Sequence, residues 1–303
     1  MLYIATVHFG TDKWIDVQLR YLKRNITIEI PFKIFMYVSN SAHMKNEKGI
    51  VSFCSEHLDQ SLYKQHWTDR LLGALCDIAQ HYHLPIENTY TSRYASKNHA
   101  KKLDLLAQAI LKEASDSDYI LFLDGDAFPI ADLIPYMESK LMQCPLAAFS
   151  WRVPERGMPH PAFCFTTVGF WRRHALEWKL RPYAGQWAAK RKRHYEVDTG
   201  GSVGYKLKKS GINWAHIPYC ATEKQRQRKT CPGLFTVLDN IVYHHGAGFR
   251  TRGILTKDDP QRPKDTIEHE QNISEYIFCK IASDEDFIRQ AFIEESIMVP
   301  GLM

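Results

Sequence analysis

Apolar and polar positions in the first half of the chain form segments of two kinds. Short apolar runs bounded by turn residues predict buried strands. Longer segments with apolar residues three, four and seven positions apart predict amphipathic helices. The predicted strands are 2–7, 32–38 and 119–123, and the predicted helices are 14–22, 64–82 and 96–114. Because strands alternate with helices, we expect an α/β fold with a mostly parallel sheet covered by helices.

The second half of the chain has a less regular pattern. The β-rich segments and strand candidates there are 146–151, 163–171, 235–238 and 241–245. Helices are predicted from about residue 173, at 200–210 and across the tail 265–298, which is mixed in charge. The chain has no internal repeat and no low-complexity linker. We expect one domain over residues 1–255, with a C-terminal helical extension over 256–303 packed on it.

Composition is that of an ordinary globular protein. Of 303 residues, 45% are hydrophobic and 24% are charged, and the net charge of +5 favours anionic ligands without requiring nucleic acid. The seven cysteines have no C-x-x-C spacing, so we expect reduced thiols rather than a disulfide frame or a zinc site. No apolar stretch approaches the roughly 18 residues of a membrane-spanning helix, and no signal peptide is predicted. We therefore expect a cytoplasmic protein.

Two carboxylates follow the third predicted strand directly. The apolar run 119–123 ends at Asp124, and Gly125 separates that residue from Asp126. Open α/β sheets bind their ligands at the carboxyl ends of parallel strands. Two neighbouring anions are costly unless a cation joins them, and carboxylate oxygens suit Mg²⁺ or Mn²⁺. The alternative is a solvated Asp-Gly turn, but a turn needs only one such residue. The pair predicts a divalent-cation site.

The segment 119–129 closely resembles the D-x-D motif of GT-A glycosyltransferases. The resemblance implies that Asp124 and Asp126 bind a divalent metal, Mn²⁺ or Mg²⁺, and with it the diphosphate of a nucleotide sugar. Asp126 is expected to be the more direct ligand, and Asp124 to reach the metal or the ribose. A Rossmann-like sheet is implied over residues 1–255. Residues 1–130 would then bind the nucleotide sugar and 131–255 the acceptor.

A second motif follows the last predicted strand. His245 and Gly248 form an H-x-x-G pattern. In many metal-dependent GT-A enzymes a histidine in this position is a third metal ligand, and imidazole is compatible with Mn²⁺. The resemblance therefore implies a ligand at His245, in preference to His244. Arg250 becomes a candidate phosphate contact, since its planar fork matches phosphate oxygens.

An acidic pair precedes the helix predicted at 200–210. Glu196 and Asp198 flank one residue. Asp198 could simply cap the helix. In inverting GT-A enzymes a carboxylate at the corresponding place deprotonates the acceptor hydroxyl, and in retaining members an acidic residue there can hold the donor sugar. The resemblance thus implies a catalytic role for Asp198 or Glu196 without choosing between the two stereochemical outcomes.

The resemblance also implies contacts with the nucleotide sugar from residues on two further elements. GT-A enzymes often direct a basic residue from the helix before the D-x-D strand towards the nucleotide, and Arg93 and Lys97 are the candidates here. A solvated helix face is the alternative explanation for them. Thr6 and His8 lie at the end of the first strand, where this fold usually holds the base and ribose.

Basic runs at 190–193 and 224–229 are usually exposed loops or helix faces. They could also attract an anionic acceptor or the anionic surface of a membrane, where the protein would bind peripherally. No nucleic-acid partner is expected, because the runs lack a recognised accompanying motif.

The motifs together favour a metal-dependent glycosyltransferase, of the hexosyl or pentosyl class, that uses a nucleotide-diphosphate sugar and a glycan or other hydroxyl acceptor. One alternative is a haloacid-dehalogenase-like phosphatase, whose nucleophile motif Asp124 and Asp126 also resemble. That family normally has Thr or Val where this chain has Phe128, and its motif lies on the first strand. The other alternative is a non-catalytic module that binds a nucleotide sugar.

Overall fold

The computed structural model describes ten parts of the chain: residues 1–9, 13–26, 30–39, 47–54, 92–150, 157–180, 199–220, 234–246, 264–300 and 302. The elements in the first half are β1 (Leu2–Phe9), α1 (Lys13–Asn25), β2 (Phe32–Ser39), β3 (Glu47–Cys54), α2 (Ser92–Glu113), β4 (Tyr119–Asp124), β5 (Ala127–Pro129), α3 (Leu133–Leu141) and β6 (Leu146–Phe149). Those in the second half are β7 (His160–Thr167), α4 (Val168–Arg173), α5 (Gly201–Lys209), β8 (Ala215–Ile217), β9 (Tyr219–Cys220), β10 (Thr236–Leu238), β11 (Val242–His244), α6 (Lys264–Ser283) and α7 (Phe287–Phe292).

The main sheet has seven strands within the described residues, in the order β3-β2-β1-β4-β7-β6-β8. Strands β2 and β4 lie on either side of β1 and run parallel to it, as β8 does to β6. The antiparallel strands β3 and β7 are the two that run against the other five. The expected α/β fold with a mostly parallel sheet is therefore confirmed.

The strand order reverses at β1, because the chain passes first to β2 on one side and later to β4 on the other. Such a switch leaves a crevice at the carboxyl ends of the two central strands, where α/β proteins bind ligands. Register places Val7 opposite Asp124. The first carboxylate of the predicted pair thus lies at the switch point.

Both faces of β4 are buried, which explains its uninterrupted apolar run. Leu121 and Leu123 pack on one face with α1, and Ile120 and Phe122 pack on the other with α2. Successive side chains of a strand point to opposite faces, so a strand covered on both sides needs apolar residues throughout. The apolar run ends before Asp124, which is the last residue of β4 and is only half-buried.

A second, antiparallel sheet has the order β5-β11-β10-β9 and begins immediately after the carboxylate pair. Its apolar core includes Phe128 and Tyr243, together with Trp14 from α1. Helices α6 and α7 contribute Ile277 and Phe287 to the same core. The C-terminal helices therefore pack on the sheet that adjoins the candidate site. The division at residue 255 remains a prediction.

The structure corrects the assignment of residues 163–171. Strand β7 ends at Thr167, and the predicted strand residues Val168 to Trp171 belong to helix α4. The helix expected to begin near Arg173 instead ends there. Thr167 begins the helix by accepting a hydrogen bond from the Phe170 amide. Burial makes both segments apolar, so hydrophobicity alone does not separate them.

Other elements were not predicted from the pattern, namely β3, β5, α3, β8 and β9. The helix predicted at 64–82 lies outside the described residues. Among the described helices, none combines the length and apolar character that crossing a membrane requires.

Candidate metal centre

Three side chains, from the ends of β4 and β11 and from the turn after β4, converge at the switch point. Asp124 ends β4, Asp126 lies two residues later, and His244 ends β11. Strand β11 pairs with β5 so that His244 lies opposite Ala127. His244 Nε2 is consequently 3.4 Å from Asp124 Oδ2 and 3.6 Å from Asp126 Oδ1. One ligand atom from each residue lies within 4.8 Å of the other two.

These distances fit a divalent cation. In an octahedral site with bonds of about 2.1 Å, neighbouring ligands are about 3.0 Å apart and opposite ligands about 4.2 Å. The imidazole-to-carboxylate distances of 3.4 and 3.6 Å fall between those limits. Two carboxylates and one imidazole are a donor set compatible with Mn²⁺. Asp126 and His244 are buried, and Asp124 is half-buried.

Further histidines surround Asp124. His99 on α2 places Nε2 3.4 Å from Asp124 Oδ1. This buried oxygen receives no hydrogen bond within the described part of the chain. Burial raises the pKa of this carboxyl group, but the imidazoles of His244, His99 and His160 outweigh burial and hold the pKa well below its ordinary value. Asp124 is therefore an ionised carboxylate at neutral pH, which is the form that binds a metal ion.

Two solved structures of the galactosyltransferase LgtC are similar to this chain. One is LgtC in complex with donor and acceptor sugar analogs, at 12% identity and a TM-score of 0.36, covering 71% of this chain and 73% of that one. The other is an active-site mutant of LgtC, at 11% identity and a TM-score of 0.35, covering 71% and 72%. No protein-family model and no curated protein matches the sequence.

Gly125 lets the turn between the two carboxylates lie directly against β1. Its amide donates to the Val7 carbonyl over 3.2 Å. A Cβ atom on Gly125 would come within 2.5 Å of that carbonyl oxygen and within 2.8 Å of His8 Nδ1. The close approach thus leaves no room for a side chain.

Replacing Gly125 with alanine should displace the turn, because the Val7 carbonyl is backbone in a central strand and cannot move away. We expect a loss of about 1–3 kcal/mol in the free energy of unfolding and at least a tenfold weaker Mn²⁺ affinity. Denaturant unfolding and metal titration would measure these effects. The control is Gly211→Ala, at a loop glycine with open space around it but positive φ, which should cost stability without weakening metal binding. An unaltered Mn²⁺ affinity in Gly125→Ala would contradict the expectation.

The structure assigns the two adjacent histidines to different neighbours. His245 is fully buried, with Nδ1 3.0 Å from the Tyr243 hydroxyl and Nε2 2.7 Å from Ser274 Oγ on α6. Its ring contacts Trp14 at a centroid distance of 4.3 Å. The side chain expected as the third ligand therefore points to α6, and His244 is the histidine that the structure brings to the carboxylates.

His245 still contributes to the centre through its backbone. Its amide donates to the Asp126 carbonyl over 3.0 Å, and its carbonyl accepts from the Phe235 amide over 2.9 Å. These bonds tie β11 to the carboxylate turn and to β10.

Thr6 and His8, the donor-site candidates on β1, are both buried and share one partner. Thr6 Oγ1 donates to Gln18 Oε1 over 3.1 Å, and His8 Nε2 lies 3.0 Å from the same oxygen. Burial lowers the pKa of His8 to about 4, although the bond to Gln18 acts in the opposite direction. The imidazole is therefore neutral at physiological pH.

The remaining predicted residues are only partly described. Arg93 and Lys97 fall within α2, but the structure does not describe their side chains. Glu196, Asp198 and Arg250 also lie outside the described residues. Helix α5 begins at Gly201, with Gly200 in the cap position at a φ of 109° and without a side-chain cap bond.

Sequence reasoning missed His99, His160 and Gln18. The two histidines carry no local signal, since each becomes part of the site only through packing of its element. Gln18 did carry a signal, because it is a polar residue between Ile15 and Leu22 on the apolar side of α1.

Proposed function

We propose that this protein is a metal-dependent glycosyltransferase that moves a sugar from a nucleotide-diphosphate sugar to a hydroxyl of a glycan or other acceptor. The observation behind the proposal is the convergence of Asp124, Asp126 and His244 at the switch point of a mostly parallel sheet. The D-x-D resemblance of 119–129 supplies the reaction class. The sugar would belong to the hexosyl or pentosyl class.

The three ligands leave part of a cation's coordination sphere available to substrate. An octahedral ion held by three protein atoms has about three positions left, and Mg²⁺-type ions commonly fill these with water and substrate phosphates. Bound there, the cation would neutralise the diphosphate that departs as the glycosidic bond breaks. The chain's own carboxylates and imidazole position that charge at the edge of the sheet.

Other residues enter the proposal through the resemblance. Arg250, Arg93 and Lys97 are proposed to contact phosphate, since cations stabilise the leaving group. On the acceptor side we propose that Asp198 or Glu196 deprotonates the hydroxyl or holds the donor sugar. Thr199, the first described residue after them, is buried just before α5.

We also propose that the protein is located in the cytoplasm and contacts anionic membranes through the basic runs 190–193 and 224–229. Phosphatidylserine vesicles would bind the protein at low salt and release it at high salt, because such attraction is screened within a Debye length.

A ligand panel tests the proposal. The purified protein is mixed with nucleoside diphosphates and their sugars, with and without Mn²⁺, and its unfolding temperature is recorded. Stabilisation confined to one nucleotide, and dependent on Mn²⁺, would name the donor class. The stabilising nucleotide sugar is then incubated with protein, Mn²⁺ and candidate glycans, and free nucleoside diphosphate is measured.

Three outcomes separate the alternatives. Release of nucleoside diphosphate that EDTA stops supports the transferase. Hydrolysis of p-nitrophenyl phosphate without any nucleotide sugar would indicate the phosphatase instead. Tight binding of a nucleotide sugar with neither transfer nor hydrolysis would indicate the non-catalytic module.

A further inference from the structure

Gln18 is a fully buried carboxamide on α1 that lies under the turn between the two carboxylates. Its Nε2 donates to the Asp124 carbonyl over 2.9 Å and to the Ala127 carbonyl over 2.7 Å. These carbonyls stand on either side of Gly125-Asp126. One side chain therefore joins both ends of the turn.

The acceptor side of the same carboxamide is also used. Gln18 Oε1 accepts from the Thr6 hydroxyl over 3.1 Å and lies 3.0 Å from His8 Nε2. Two carbonyl oxygens need a donor, so the amide nitrogen must face the turn and the amide oxygen must face β1. All four hydrogen-bonding positions of the amide are thus occupied, which allows a single orientation.

The backbone of the turn is held at four successive residues. Gln18 holds the carbonyls of Asp124 and Ala127. The Val7 carbonyl accepts from the Gly125 amide, and the His245 amide donates to the Asp126 carbonyl. The first two bonds come from a side chain and the other two from neighbouring strands. Gln18 is consequently the part of this network that a substitution can remove.

We infer that Gln18 is a positioning residue that holds the Asp124-Gly125-Asp126 turn in the shape that lets both carboxylates reach one cation. The inference rests on the proposed function for the cation site, but the hydrogen bonds from Gln18 to the turn go to two backbone carbonyls. Groups that orient metal ligands from behind typically change metal affinity 10- to 100-fold when removed. Buried carbonyls left without a donor also destabilise their local backbone.

The chain provides a matched control on the same helix. Asn25 lies seven residues after Gln18 and also donates from its carboxamide to a carbonyl of the following segment, that of Pro129, over 2.9 Å. It also donates to the Tyr21 carbonyl over 2.9 Å. Its contact is at the far end of β5, away from the carboxylates. Asn25 therefore shares the chemistry of Gln18 but not its position.

The test compares Gln18→Met with Asn25→Leu, since each exchanges a carboxamide for an apolar side chain of similar size. Amide hydrogen exchange is measured on the metal-free proteins, and Mn²⁺ affinity is measured by titration. In Gln18→Met we expect exchange over residues 124–127 to accelerate at least tenfold and the Mn²⁺ dissociation constant to rise 10- to 100-fold. Asn25→Leu should leave both within about twofold, with faster exchange confined to residues near 129.

A milder variant covers the case in which Gln18→Met does not fold. Thr6→Val removes one donor to Oε1 and preserves side-chain volume, so it should move both readouts in the same direction by about two- to fivefold. Unaltered exchange and affinity in the folded Gln18 or Thr6 variant would overturn the inference, as would equal effects in Asn25→Leu. If the unmodified protein binds no Mn²⁺, the proposed function fails, whereas exchange in the metal-free protein still decides the role of Gln18.

Discussion

Asp126→Asn is expected to lower Mn²⁺ affinity and metal-dependent turnover by at least a hundredfold while the chain stays folded. Asp126 is buried, and its Oδ1 lies 3.6 Å from His244 Nε2 in the three-residue group. Asparagine keeps the shape of the side chain but removes the charge that a divalent cation needs, and loss of a direct ligand should exceed the 10- to 100-fold effects known for groups behind it. Its backbone carbonyl still accepts from the His245 amide, so the turn remains attached.

Metal titration, turnover with and without EDTA, and denaturant unfolding measure the three parts of this expectation. The control is Asp132→Asn, six residues later, because Asp132 is exposed and makes no side-chain cap bond to α3. That variant should match the unmodified protein. Normal Mn²⁺-dependent turnover in Asp126→Asn, or turnover that EDTA does not affect, would refute the metal role.

Alanine at His244 should act mainly on metal binding and alanine at His245 mainly on stability, although the residues are adjacent. His244→Ala removes an imidazole from the carboxylates, so we expect at least a hundredfold weaker Mn²⁺ binding and a loss of about 1 kcal/mol in the free energy of unfolding. His245→Ala empties a fully buried position and leaves the Tyr243 hydroxyl and Ser274 without this partner. We expect it to cost about 3 kcal/mol.

The two histidine variants are compared by denaturant unfolding without metal and by Mn²⁺ titration under conditions in which both are folded. Ser274→Ala serves as an intermediate case. It removes the bond to His245 Nε2 from α6, so it should lower stability by about 1 kcal/mol and leave Mn²⁺ binding within about threefold. A larger loss of Mn²⁺ affinity in His245→Ala than in His244→Ala would restore the ligand role predicted for His245.

Much of the fold could be predicted from the local pattern of apolar and polar residues. The run 119–123 is apolar at every position because β4 is buried on both faces. The end of this apolar run also marks the end of the strand. The helix predicted at 96–114 corresponds to α2, since its apolar residues share one face. By contrast, Val168 to Trp171 are apolar in a helix as they would be in a strand, and the Thr167 cap was not recognised.

The choice between His244 and His245 could not be made locally. Consecutive residues point to opposite sides of a strand. Which side meets the carboxylates depends on the register of β11 against β5, which places His244 opposite Ala127. That pairing joins positions more than a hundred residues apart in sequence, and the H-x-x-G spacing contains no information about it.

The carboxylate pair, its place at the end of a buried strand and the prediction that it binds a divalent cation follow from neighbouring residues in the sequence, because strand burial and side-chain chemistry are local properties. The placement of His244 beside the carboxylates and of Gln18 against their turn arises from long-range packing. It depends on how β11, α1 and α2 meet the end of β4, and such contacts are specified by the whole core rather than by any one segment. Local chemistry therefore predicts which kind of ion the site would bind, and the tertiary structure selects the residues that surround it.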